Sequence, residues 1–290
     1  MEPMRISINV TQYSWPGRID SALDNVARAA DEAGLDTVWV ADHLLQADPT
    51  ADADAEMLEA YTTLGFVAAR TERVRLGTMV TAVTYRPPAL LVKAVTTLDV
   101  LSGGRAWLGL GSGYSTAEAG AMGLPLPPIA ERVARLEETL ELASRMWKGD
   151  DSLFDGAHHR FERPVGSPPP MSTPHPPVLV GGMGERTTLP LVARRADACN
   201  LFDIPDGGET VRRKLAVLAE HCEAHGRPFD DIEKTVSTRL EQSETAGAFA
   251  DRCHRLGELG FDHVVVVRSG PFGTADVATL GEAVRMLGDG

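Results

Sequence analysis

Asp42 and His43 stand together directly after a short apolar run, Trp39-Val40-Ala41. A carboxylate beside an imidazole suits proton transfer near neutral pH, because only histidine titrates there unperturbed. Two glycine-rich turns follow other apolar runs: Gly109-Leu110-Gly111-Ser112-Gly113 and Gly181-Gly182-Met183-Gly184-Glu185-Arg186. Without Cβ atoms, their backbone N–H groups can approach an anion, and Arg186 at the start of the following helical pattern makes the second turn a candidate phosphate cradle. Neither turn fits the dinucleotide fingerprint G-x-G-x-x-G, since Tyr114 and Thr187 stand where its last glycine would fall, so a Rossmann reading is disfavoured. Taken singly, each turn reads equally well as a tight strand-to-helix connection, and Asp42 and His43 as a helix cap and a surface imidazole.

The elements that must position these residues alternate. Short apolar runs, as expected of strands covered on both faces, occur at 5–9, 37–40, 74–78, 106–110, 178–180, 198–201, 232–238 and 263–267. Between them lie amphipathic helical patterns at 19–33, 55–70, 88–101, 130–148, 186–195, 210–224, 246–259 and 274–287. Eight alternating units predict an α/β fold, a (β/α)8 TIM barrel in one domain over residues 1–290. In such a barrel the chemistry sits where strands end, and that is where the singled-out residues fall. Residues 149–177, rich in proline and carrying His158 and His159, cannot be helical. They are expected to form an insertion loop between the fourth helix and the fifth strand, over the barrel mouth.

The 290 residues carry a formal net charge of -13, which argues against broad binding to nucleic acid or anionic lipid. No apolar run reaches the roughly 20 residues that span a bilayer, so a cytoplasmic protein is expected. Cys199, Cys222 and Cys253 are odd in number and far apart, unlike a disulfide framework, and are expected to be inert thiols. His221, Cys222 and His225 lie on one predicted helix with no second ligand cluster, so no metal site is expected.

Taken together, Trp39-Val40-Ala41-Asp42-His43, Arg75-Leu76-Gly77-Thr78-Met79-Val80, Leu101-Ser102-Gly103-Gly104-Arg105 and Gly109-Leu110-Gly111-Ser112-Gly113-Tyr114 resemble the luciferase-like monooxygenase superfamily. Pro177-Val178-Leu179-Val180-Gly181-Gly182 with Gly184-Glu185-Arg186, followed by Ala193-Arg194-Arg195-Ala196-Asp197, extend the resemblance over nearly the whole chain. Within it the chain looks most like the short subgroup using coenzyme F420, a 5-deazaflavin. The resemblance implies a cofactor ring across the barrel mouth with a non-proline cis peptide behind it, by position Met79-Val80. It implies cofactor contacts from Asp42, Thr78, Met79, Val80, Ser112, Gly113, Gly181, Gly182, Gly184 and Arg186. His43 matches the acid/base histidine of F420-dependent members. Their sugar-phosphate dehydrogenases carry a glutamate where this chain has Tyr114, so oxidation of glucose 6-phosphate is not expected. The implied function is hydride transfer between F420 and a small organic substrate, with substrate contacts expected from Gln12, Tyr13, Trp15, Tyr85, Tyr114 and Asp203. Two alternatives stay open: an FMN-dependent monooxygenase using oxygen, and a flavin-binding barrel without turnover. The sequence leaves open a homodimer, the substrate and the direction of transfer.

Overall fold

A computed structural model describes residues 3–48 and 51–288. The run Arg5–Val10 forms β1, and its alternation of Ile6, Ile8 and Val10 with Ser7 and Asn9 decides which side chains face the helical shell and which the barrel axis. Helix α1 (Ile19–Glu32) buries Leu23, Val26, Ala27 and Ala30 against the sheet. It stops where Gly34 takes a positive φ of 76°. Near its end Asp31 accepts the backbone N–H groups of Arg73 and Val74, both at 2.7 Å, and so fixes the entry of the third strand.

The remaining strands are β2 (Thr37–Val40), β3 (Arg75–Thr78), β4 (Thr81–Ala82), β5 (Leu108–Gly111), the hairpin pair β6 (Phe154–Asp155) and β7 (Arg160–Phe161), β8 (Val178–Gly181), β9 (Ala198–Phe202), β10 (Glu233–Arg239) and β11 (His263–Val267). Apart from the antiparallel hairpin, every pairing is parallel, in the order β3-β2-β1-β11-β10-β9-β8-β5-β4. A bridge between Leu76 and Ala106 joins β3 to the start of the β5 run and brings the two edges together. Segments β3 and β4 are two halves of the third barrel strand, interrupted at Met79-Val80, whose peptide bond is cis as the resemblance implied. All eight expected strands are thus present in a (β/α)8 barrel.

The helices are α2 (Ala60–Ala68), α3 (Pro88–Ser102), α4 (Thr116–Met122), α5 (Ile129–Trp147), α6 (Thr188–Arg195), α7 (Glu209–Ala224), α8 (Ala246–Glu258) and α9 (Thr274–Gly288). Helix α2 starts at Ala60, five residues later than the pattern predicts, because Glu59 caps it by accepting the Thr62 N–H at 2.7 Å. Helix α6 starts at Thr188, so Arg186 lies in the turn before it rather than in its first turn. Inside the barrel Trp39, Trp107, Leu179, Ala198 and Val265 fill the axis. The two indoles meet at 5.4 Å, and a Cβ on Gly77 would sit 2.7 Å from Trp39 and 2.8 Å from Trp107, so that strand position requires glycine.

The placement of residues 149–177 over the mouth is corrected. A segment running from a helix to the next strand emerges at the strands' N-terminal end, opposite the catalytic face. Met171 and Ser172 donate backbone N–H bonds to Asp99 at 2.7 and 2.9 Å, and the His175 ring stacks on Trp147 at 5.4 Å. The β6–β7 hairpin is tied to α5 by Glu138, which accepts the N–H groups of Ala157 at 2.6 Å and His158 at 3.0 Å. None of these residues borders the cavity at the mouth. That mouth is walled instead by the connections after β2 and after β5, the latter carrying α4, a helix the sequence pattern did not reveal.

Candidate active site

A cavity of about 560 Å³ opens at the C-terminal ends of the strands, within the size range of small-molecule and cofactor sites. Residues on the strands or just past their ends form its lower wall: Asn9, Met79, Val80, Gly111, Gly181, Asn200, Ser237 and Val267. Loop residues, among them His43, Asp48, Tyr85, Tyr114 and Asp203, form the rest. A Cβ on Gly111 would meet Val80 Cγ2 at 2.7 Å, so glycine there leaves the room that the Val80 side chain occupies.

Asp42, 1% exposed, accepts three hydrogen bonds from two side chains. Arg86 donates to both carboxylate oxygens at 2.5 and 3.0 Å, and the Thr81 hydroxyl donates at 2.6 Å. Arg86 also reaches Glu59 at 2.5 Å. Burial alone would lower the Arg86 pKa, but its bonds to Asp42 and Glu59 outweigh that and raise it, so the buried cation stays charged.

His43 is organised by Glu118, which comes from α4 and lies 75 residues along the chain. His43 Nδ1 is 2.7 Å from Glu118 Oε2. The same carboxylate accepts the Leu44 N–H at 2.5 Å, the Leu45 N–H at 3.3 Å and the Tyr85 hydroxyl. Burial pushes Glu118 upward, yet these donors prevail and hold it below the usual carboxylate range. An ionised carboxylate only accepts, so the proton of neutral His43 belongs on Nδ1 and the lone pair on Nε2. Nε2 has the Tyr114 hydroxyl 3.3 Å away, and the two rings meet edge to face. Burial and the carboxylate of Glu118 raise the phenol pKa of Tyr85. The Tyr114 ring is largely exposed, but its hydroxyl end is partly shielded from water beside Glu118, and these two effects raise its pKa as well.

Of the expected cofactor contacts, Asp42, Met79, Val80, Ser112, Gly113, Gly181 and Gly182 line this cavity, as do His43 and, among the expected substrate contacts, Tyr85, Tyr114 and Asp203. Others lie outside the lining. Thr78 is buried behind it, 3.0 Å from the Thr81 hydroxyl and donating to the Gly109 carbonyl. Gly184 turns its carbonyl toward the N–H groups of Thr188 and Leu189, both at 2.9 Å, while Arg186 is exposed. Gln12 is not among the lining residues and donates to the lining residue Asp48 at 2.9 Å. Tyr13 is fully buried against Trp15, whose indole donates to the Phe272 carbonyl at 2.6 Å, and neither is among the lining residues.

Sequence reasoning missed Asn9, Asp48, Glu118, Asn200, Ser237 and Arg239. Glu118 was hidden by its own context, because Ser115-Thr116-Ala117-Glu118 reads as a helix capping box. Ser115 does accept the Glu118 N–H, at 3.2 Å, but the Glu118 side chain turns to His43 instead of back to the helix start. Asn200 had a legible signal, a polar residue breaking the otherwise apolar run of β9, and Asn9 a weaker one, alternating with Ile8 and Val10 in β1. Ser237 sits among the mostly polar residues of β10 and carried none. Elsewhere, among the described residues, no group of three His, Cys, Asp or Glu is placed to hold a metal ion, and no helix is long and apolar enough to cross a membrane. His221 meets the Glu185 carbonyl at 3.0 Å, and the three cysteines are free and buried.

Comparisons with known proteins bear on the family and the fold. The family model for luciferase-like monooxygenase matches residues 8–279. An F420-dependent glucose-6-phosphate dehydrogenase of Kineococcus radiotolerans is 32% identical over 252 residues, covering 84% of this chain and 69% of the relative. Among solved structures, an F420-dependent secondary alcohol dehydrogenase in complex with an F420–acetone adduct superposes with a TM-score of 0.83 at 16% identity, over 98% of this chain and 99% of that one. The monooxygenase RslO1 from Streptomyces bottropensis gives 0.78 at 21% identity, over 99% and 98%. With a family model matching residues 8–279, nearly its whole length, the chain belongs to the luciferase-like monooxygenase family.

Proposed function

We propose that this protein is an F420-dependent oxidoreductase acting on a small uncharged alcohol or carbonyl compound, with His43 as the group that takes up or delivers the proton. The observation that carries the reading is the Glu118–His43 pair, which aims a defined imidazole nitrogen at a cavity built on Met79-Val80. The named F420 dependence of the relatives supports the choice of cofactor. The residues present fit such a group: the cavity has the volume for a flat ring, and Gly111 and Gly181 leave room for the Val80 side chain in its wall, where a Cβ would come within 2.7 and 3.1 Å of it. Met79, Val80 and Asp42 would flank the ring, with Ser112, Gly113 and Gly182 toward its side chain. When bound, the deazaflavin would supply a hydride donor or acceptor at its C5.

Proton handling falls to the protein. Neutral His43 presents Nε2 as a base, and the imidazolium formed on protonation is stabilised by the Glu118 carboxylate at Nδ1. In the reverse direction the same imidazolium is the acid. Tyr114, 70% exposed, links Nε2 to bulk water and offers the exit for the proton. Arg239 is the one arginine or lysine among the described lining residues, and it lies 4.0 Å from the Asp48 carboxylate. A phosphorylated sugar would find a wall that also carries Asp48 and Asp203, which supports an uncharged substrate.

Titration of the purified protein with F420 and with FMN, read by fluorescence, tests the reading. F420 is expected to bind at micromolar affinity or better, about -8 kcal/mol. FMN binding at least ten times tighter than F420 would replace it with an oxygen-using monooxygenase. With isopropanol and acetone as probe substrates, His43→Ala is expected to lose roughly 100- to 10,000-fold in turnover at nearly unchanged cofactor affinity. Normal turnover in that variant would remove His43 from the chemistry.

A further inference from the structure

Two asparagines lie in the lower wall of the cavity, and their amides are treated very differently by the protein. Asn200 on β9, 3% exposed, is satisfied internally: its Nδ2 donates to Ser237 Oγ at 3.0 Å, and its Oδ1 accepts from Thr235 at 2.8 Å and Ser237 at 3.2 Å. Asn9 on β1 is equally buried, 5% exposed, and borders the same cavity, yet its Oδ1 has no donor among the described residues. An acceptor left unpaired and dry destabilises the fold, so a buried orphan of this kind points to a partner from outside the chain. Asn9 sits at the inward-facing position opposite Trp39 in the β1–β2 ladder, where strand backbone holds it in place on the cavity wall.

We infer that Asn9 is the residue that recognises the polar edge of the bound ring, pairing its carboxamide with a cyclic imide. A carboxamide offers an acceptor and a donor side by side, the complement of an N–H next to a carbonyl. That edge is the pyrimidinedione shared by deazaflavins and flavins, so the contact reads the ring class and not the atom at position 5. This inference rests on the cofactor reading above. Asn200 and Ser237, already bonded to each other, serve as the fixed polar surface beside it.

The test uses the full chain, with F420 and with a deazaflavin that carries the ribityl chain but no phosphate as two separate probes. Asn9→Leu, close to asparagine in size, is expected to weaken both probes by the same factor, at least tenfold, equivalent to about 1.4 kcal/mol. Without a ligand, the thermal midpoint of Asn9→Leu is expected to equal or exceed that of the wild type, because the orphan acceptor is gone. A residue needed only for packing would lower that midpoint and leave both affinities alone, and that result overturns the assignment. Affinities within twofold of wild type for both probes overturn it too, as does a loss confined to the phosphorylated probe. Asn9→Ala is read in the same way if the leucine variant does not fold. Wild-type protein that takes up neither F420 nor FMN would overturn the cofactor reading and this assignment together, whereas tight wild-type binding unchanged in the variants overturns the assignment alone.

Discussion

Glu118→Gln separates the electrostatic role of that residue from its shape. The glutamine has nearly the same volume and keeps an oxygen for the N–H groups of Leu44 and Leu45, now 2.5 and 3.3 Å from Oε1. Its amide nitrogen then replaces Oε2, which at present faces His43 Nδ1 at 2.7 Å and the Tyr85 hydroxyl. A donor opposite Nδ1 moves the imidazole proton to Nε2, so the nitrogen facing the cavity becomes a donor in the neutral ring, and the imidazolium loses its counter-charge. The comparable asparagine substitution in serine protease triads lowers turnover about 10,000-fold through the same tautomer change. Here about 100- to 10,000-fold is expected, or roughly 3 to 5 kcal/mol of transition-state stabilisation. Since Glu118 is absent from the cavity lining, F420 affinity should stay within a few fold. Nitrogen-15 NMR of the imidazoles reads the tautomer directly and needs no substrate, and kinetics with isopropanol read the rate. A variant that keeps its Nδ1–H tautomer and its turnover would refute the argument that Glu118 sets the state of His43. Glu118→Asp, which keeps the charge but shortens the reach, should recover part of the rate.

Three further outcomes are expected. Gly77→Ala puts a methyl within 2.7 Å of Trp39 and 2.8 Å of Trp107, and calorimetry should record a loss of about 1–3 kcal/mol from overpacking. Gly182 has φ +130°, so any side chain there is strained. Gly182→Asp should bind F420 more weakly than Gly182→Ala, the excess measuring the repulsion of an anion at that turn, and equal affinities would place the phosphate elsewhere. Glu138 is pushed upward by burial but held below its ordinary value of 4.5 by the N–H groups of His158 and Ala157 and by His159. A carboxylate whose pKa is depressed on folding contributes stability above its unfolded value and loses it as pH falls through the folded one. The hydrogen-exchange protection of the Ala157 and His158 amides, relative to their intrinsic rates at each pH, should therefore fall below about pH 4.5 and be reduced at all pH values in Glu138→Ala.

Much of this molecule was written in local patterns. The eight apolar runs survive as barrel strands because burial on both faces leaves such a run no other stable place, and the strand-end residues Asp42, His43, Met79, Val80, Ser112, Gly113, Gly181 and Gly182 were legible because a barrel directs those ends to one rim. Side-chain pairings across the rim were not. His43 and Glu118 are 75 residues apart, and only closure of the barrel sets α4 beside the connection after β2. The direction of the 149–177 segment followed from connectivity, since the end of a helix and the start of a strand both lie at the base, yet its composition suggested a lid. Tyr13 and Trp15 have the aromatic character of a binding site, yet Tyr13 is buried in the core with the half-buried Trp15 packed on it, and neither borders the cavity. Asn9 and Asn200 share a residue type and an inward-facing place on their strands. What separates a satisfied amide from an orphan is whether a neighbouring strand carries a hydroxyl within 3 Å, a distance that exists only once the strands are side by side.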